Sequence, residues 1–145
     1  MKIRMKQDEL ALLTAALRSS DKYLEFGTGG STVLACETVR ISVLSVESDQ
    51  AWTEQVEAEC VAKRTALTPE FLHVDIGPTG AWGKPTDAST RDRWPAYHAS
   101  VWNQRLAKES DLILIDGRFR VACCAQSALN VNGLNITLSS NFYVP

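Results

Sequence analysis

The stretch Tyr23-Leu24-Glu25-Phe26-Gly27-Thr28-Gly29-Gly30-Ser31-Thr32 constrains this chain more than any other. A short apolar run suited to a strand reaches a turn with glycine at positions 27, 29 and 30, and the chain then enters a helix. Glycines in such a turn permit positive φ and leave no Cβ between the backbone and a ligand. A helix starting near Gly29 or Gly30 points its free N–H groups and positive dipole end back into the same space. A strand, a glycine turn and a helix N-terminus are the parts of a nucleotide-type ligand site. They require a sheet to stand on, so the rest of the chain must supply more strands.

It does. Residues 8–20 read as a first helix, with Asp8 as N-cap and Leu10, Leu13 and Leu17 on one face. Strands are expected at 23–26, 41–47, 71–76 and 111–116, and a fifth at 134–138. Between them come helices at 31–38, from the Ser48 or Asp49 cap to 64, at 95–109 behind Pro95, and at 119–129. Strands that alternate with helices predict an α/β Rossmann-like three-layer sandwich. Its sheet is mostly parallel, with helices on both faces and right-handed crossovers. Residues 77–93 form the longest irregular stretch. Their content of Gly, Pro and Trp marks a functional loop rather than a linker.

At 145 residues, 45% apolar and 22% charged, the chain fits a single domain spanning 1–145 with one real core. A net charge of −2 argues against nucleic acid as a partner, and no run is long enough to span a membrane. The basic start lacks a cleavage site, so no signal peptide is expected. Cys36, Cys60, Cys123 and Cys124 have neither disulfide-framework nor zinc spacing. They read as free thiols of a cytoplasmic protein.

In a parallel sheet, ligands bind beyond the carboxyl ends of the strands. Those ends here carry Glu25, Glu47, Asp75 and Asp116. A carboxylate at Glu47 can accept both hydrogen bonds of a ribose diol, although an acid beside Ser48 also suits a helix start.

With Glu47 after the second strand, Glu25-Phe26-Gly27-Thr28-Gly29-Gly30-Ser31 resembles the first motif of the class I S-adenosylmethionine-dependent methyltransferases, an acid followed by spaced glycines. The acid and first two glycines match, Ser31 stands where the third glycine is usual, and Gly30 is extra. The dinucleotide fingerprint G-x-G-x-x-G would need glycine where Thr32 stands. The resemblance implies S-adenosyl-L-methionine as cofactor. It places the ribose at Glu47 and Ser48, the methionine part along Gly27, Thr28, Gly29, Gly30 and Ser31 with Glu25 beside it, and the adenine near Asp75 and Ile76. Asp116 falls near the transferred methyl group.

Asp116-Gly117-Arg118-Phe119-Arg120 offers a carboxylate to orient a nucleophile and two arginines for an anionic substrate group. Its acid and arginines also suit a helix cap and a solvated surface. His98 is a candidate base, and Trp82 a candidate wall of an acceptor pocket, though a lone histidine or tryptophan more often serves packing. No metal-ligand spacing is present. The usual C-terminal hairpin of this fold is expected to be missing or altered, which would leave an open sheet edge able to pair with another copy. The expected function is methyl transfer to an unidentified acceptor. The rivals are an inactive cofactor-binding or interaction module of the same fold, and an NAD-dependent oxidoreductase.

Overall fold

The structure, a computed structural model, describes residues 1–132 and the backbone of residues 136–139. Among them run α1 (Gln7–Arg18), β1 (Lys22–Phe26), α2 (Gly30–Thr38), β2 (Ser42–Glu47), α3 (Gln50–Lys63), β3 (Glu70–His73), α4 (Pro95–Ala99), α5 (Arg105–Lys108), β4 (Leu112–Ile115), α6 (Arg120–Asn130) and β5 (Ile136–Ser139). The strands form one sheet in the order β3-β2-β1-β4-β5, and every neighbouring pair is parallel. This is the expected Rossmann-like α/β architecture. The first two residues of the predicted fifth strand, and the tail where the hairpin was expected to be absent, lie outside the described residues.

Alternation along the strands sorts the core into two layers. Leu24, Phe26, Leu44, Val46, Ile113 and Ile115 face Tyr97, Val101, Trp102, Ala107 and Cys123, from the α4–α5 region and α6. Tyr23, Val43, Leu112 and Leu114 face Leu13, Leu17, Val33, Cys36, Val56 and Cys60 on α1, α2 and α3. Each large side chain fully buried this way contributes about 1.5–3 kcal/mol before chain entropy is counted. Cys36, Cys60 and Cys123 are buried and Cys124 half-buried, all as free thiols.

Three local expectations are corrected. The first helix starts at Gln7, and the Glu9 side chain accepts the Lys6 N–H at 2.9 Å, so Asp8 lies within the first turn and is not the cap. β3 ends at His73, because beyond Val74 the Asp75 carboxylate accepts the Gly77 N–H at 2.8 Å and turns the chain. The helix expected at 95–109 is divided into α4, a 3-10 turn over Ser100–Asn103 and α5. Trp102 Nε1 donates to the His98 carbonyl at 2.9 Å, taking an acceptor that a continuous helix uses for its own ladder, and Gln104 is extended. Among the described residues no helix is long and apolar enough to cross a membrane.

Candidate functional site

The strand order reverses between β1 and β4, and crevices in parallel sheets open where that happens. Two glycines meet there. Gly27 has φ +92°, and a Cβ on it would stand 2.6 Å from Gly117 Cα and 2.7 Å from Gly117 N. Gly117 N and Asp116 N both donate to the Phe26 carbonyl, at 2.6 and 3.0 Å. The turns after β1 and β4 are therefore locked together with no room for a side chain between them.

Above them opens a cavity of about 820 Å³. One wall is residues 27–31 with Glu47, Ser48, Asp49 and Trp52. The other is residues 80–84, Tyr97, Asp116, Gly117, Arg118 and Arg120, with residues 2–5 across the mouth.

Glu47 organises the first wall. Its Oε2 accepts the Thr28 N–H at 3.0 Å, and its Oε1 accepts the N–H groups of Ser48 and Asp49 at 2.6 and 3.0 Å. The carboxylate thus fixes the glycine turn and the entry to α3 together. With one partner on Oε2 among the described residues, a lone pair remains for a ligand hydroxyl. Asp49 caps α3 by accepting the Trp52 N–H at 3.0 Å, and Trp52 Nε1 donates to the Thr28 carbonyl at 2.8 Å.

Glu25 lies beneath this wall, fully buried, and does not line the cavity. By strand alternation it shares the face of Tyr23, opposite Leu24 and Phe26. Its carboxylate accepts from Tyr23 OH at 2.6 Å, from Ser45 Oγ at 3.3 Å and from Thr32 Oγ1. Thr32 Oγ1 in turn accepts the Gly29 N–H at 2.8 Å. Glu25 therefore acts on the turn through Thr32. Burial pushes its pKa up to about 7, against the lowering effect of those hydroxyls.

On the second wall, Arg120 is engaged. Its guanidinium donates to the Gly117 and Asp116 carbonyls at 3.2 and 3.0 Å and to Asp116 Oδ1 at 3.2 Å. Arg118 differs: its Nε is buried without a hydrogen-bond partner among the described residues. Trp82 stands at the tip of the long loop, 66% exposed and left-handed at φ 64°, under Arg4, whose Cζ lies 4.7 Å from the ring centroid. The Tyr97 hydroxyl lies against Gly117 and donates to the Val46 carbonyl at 3.4 Å. Burial raises its pKa, so it stays a neutral phenol.

Besides Glu25, three predicted site residues lie elsewhere. Asp75 is exposed and pairs with Arg93 at 2.8 Å, with its pKa lowered first by the Gly77 N–H and also by that arginine. Ile76 is fully buried in the core. His98 is absent from the cavity wall, its Nδ1 is buried without a partner among the described residues, and burial lowers its pKa.

Trp82 lines the cavity as expected, and the structure adds residues 2–5, Trp52, Gly80, Ala81, Gly83, Lys84, Tyr97 and Gly117 to the site. Gly30 owes its lack of side chain to Ile3, because a Cβ there would stand 2.9 Å from Ile3 Cγ1. Among the described residues no three His, Cys, Asp or Glu side chains gather as a metal site.

No protein-family profile and no curated protein matches the sequence. Solved structures do. A methyltransferase-like protein from Silicibacter pomeroyi DSS-3 is 34% identical over 97% of this chain and 74% of its own, with a TM-score of 0.90. An S-adenosylmethionine-dependent methyltransferase from Thiobacillus denitrificans, in complex with S-adenosylhomocysteine, is 17% identical, with a TM-score of 0.59 over 96% of this chain and 50% of its own. The O-methyltransferase TomG from Streptomyces achromogenes, in complex with S-adenosylmethionine, is 16% identical, with a TM-score of 0.65 over 97% of this chain and 57% of its own. The last two show the fold alone, and this chain spans only about half their length. The identity and coverage of the first settle the kinship: the chain belongs to the methyltransferase-like family of the Silicibacter pomeroyi protein, built on the class I S-adenosylmethionine-dependent methyltransferase fold.

Proposed function

We propose that the protein binds S-adenosyl-L-methionine in the cavity at the β1–β4 reversal and transfers its methyl group to an acceptor held against the second wall. The observation that carries this reading is Glu47, a rim carboxylate held by three backbone N–H groups with acceptor capacity left over. A ribose diol supplies the hydroxyls such a group accepts. The residues present fit the cofactor. A Cβ at Gly29 would meet nothing within 4 Å, so that cradle is open where the methionine part would run. The cavity volume falls in the range of about 300–1,000 Å³ usual for small-molecule sites. Cofactor binding in the Thiobacillus and TomG structures supports the same assignment.

When bound, the cofactor supplies an electrophilic methyl on sulfonium. The chain contributes position. Residues 27–31 hold the methionine part, and Glu47 and Ser48 hold the ribose. Asp116, on the facing wall, orients the nucleophile or takes its proton. Much of the rate would come from holding two reactants in line. Glu25 serves the site from beneath, by holding Thr32 and through it the Gly29 N–H.

Calorimetric titration with S-adenosylmethionine and S-adenosylhomocysteine tests the reading. Both should bind, NADH should not, and Glu47→Gln should weaken both by about 10- to 100-fold, the worth of a charge-assisted hydrogen bond. Absence of binding to folded protein, or full affinity in Glu47→Gln, would refute it.

A further inference from the structure

The cavity has a charge imbalance that the cofactor does not explain. Its lining carries the cations Lys2, Arg4, Lys84, Arg118 and Arg120 against the acids Glu47, Asp49 and Asp116. Five against three is a surplus of two positive charges, in a chain whose net charge is −2. The acids are also engaged: Glu47 and Asp49 accept backbone N–H groups, and Asp116 pairs with Arg120. Lys2, Arg4, Lys84 and Arg118 have no ion pair among the described residues. S-adenosylmethionine cannot balance them, since its carboxylate is outweighed by an ammonium and a sulfonium.

Three of these cations, Arg4, Lys84 and Arg118, are tied to the loop wall, while the backbone of Lys2 packs on Gly30. Arg118 follows the β4 turn, its Nε buried and unpartnered among the described residues. A Cβ at Gly83 would stand 4.0 Å from Arg118 Cγ, so the loop bearing Lys84 folds down over this arginine. Arg4 stacks on Trp82 of the same loop and lines the same cavity. Leaving a buried guanidinium N–H without an acceptor is costly, and an oxyanion is what its fork accepts best.

We propose that the methyl acceptor carries an oxyanion, a carboxylate or a phosphate, and that Arg118 receives it, with Lys84 and Arg4 closing over it from the loop and the N-terminal segment. This rests on the methyltransferase reading and adds the acceptor's chemical class. Arg120, already engaged by the Asp116 and Gly117 carbonyls, is a strut of the turn.

The test is calorimetry at low ionic strength on protein saturated with S-adenosylhomocysteine, using benzoate, inorganic phosphate and, as a cationic control, benzylamine. Benzoate or phosphate should bind and benzylamine should not. Arg118→Met should weaken the anion by about tenfold or more, and Lys84→Gln by a smaller factor, while S-adenosylhomocysteine affinity stays within about twofold. An anion that competes with S-adenosylhomocysteine, or an Arg118→Met protein that loses S-adenosylhomocysteine instead, would assign the arginine to the methionine carboxylate and overturn the proposal. So would equal binding of benzylamine, or anion binding unchanged in both variants. Melting curves check folding, and if Arg118→Met does not fold, Lys84→Gln decides. If S-adenosylhomocysteine fails to bind the wild type, the methyltransferase reading falls. The same anion titration on unliganded protein then stands alone: loss in Arg118→Met supports the oxyanion site, and retention refutes it.

Discussion

The two walls of the cavity are built on opposite principles. On the glycine-turn side, polar groups close on one another: Glu47 on three backbone N–H groups, Asp49 on Trp52, and Thr32 on Gly29 and Glu25. On the loop side, among the described residues, Arg118 has an orphaned Nε and Lys84 no ion pair, and Trp82 is strained and exposed. A wall that satisfies itself is set before any ligand arrives. A wall with unspent hydrogen-bonding capacity takes its final form with one. The difference is what the proposed function requires, a common cofactor on one side and a particular acceptor on the other.

If the first wall is rigid by construction, its glycines should not be equivalent, and the largest effect is expected there. Gly27→Ala forces a side chain into left-handed backbone and against Gly117. It should cost about 3 kcal/mol of stability in urea unfolding, from roughly 1–2 for the dihedral and 1–3 for the clash. Gly29→Ala, with extended backbone and open space, should stay within about 1 kcal/mol while weakening S-adenosylhomocysteine binding. Equal destabilisation by both changes would break the contrast.

A second effect belongs to Glu25. Its carboxyl is raised from 4.5 unfolded to about 7 folded by burial, so between those values the folded state binds more protons than the unfolded state. Stability is then full below about pH 4.5, falls as pH rises toward 7, and levels above it, by up to about 3 kcal/mol. Denaturant midpoints measured across this window should show the decline in wild type and a flatter profile in Glu25→Gln. A profile unchanged by the substitution would remove Glu25 from the account.

Smaller changes sharpen the boundary between the walls. Tyr97→Phe removes a hydroxyl wedged against Gly117 and should cost about 1 kcal/mol in thermal or urea unfolding. Arg4→Ala should change stability by no more than about 0.5–1 kcal/mol, the scale of an exposed cation–π contact, and should alter Trp82 fluorescence. A large loss of stability on Arg4→Ala would mean the loop wall is as rigid as the other.

Much of this was legible in the residues. Five β-rich runs separated by helical ones implied the parallel sheet, and the glycine turn with Glu47 located the cavity. What escaped had physical causes. Glu25 was read at the strand end, yet strand alternation puts it with Tyr23, facing α2. Asp75 was placed on a rim that β3 stops short of, because its own carboxylate makes the turn at Gly77. His98 follows Tyr97, so when Tyr97 points into the core and the cavity floor, its neighbour cannot line the same wall. The covering of Gly30 by Ile3 and the stacking of Arg4 on Trp82 join segments far apart in the chain, and no local pattern announces them.

The most direct measurement is a crystal structure of the protein with S-adenosylhomocysteine. Ribose hydroxyls should lie within hydrogen-bond distance of Glu47 Oε2, the methionine part along residues 27–31, and the sulfur should face Asp116. A ligand seated elsewhere, or one bound in the cavity with Glu47 touching only its backbone partners, would contradict it.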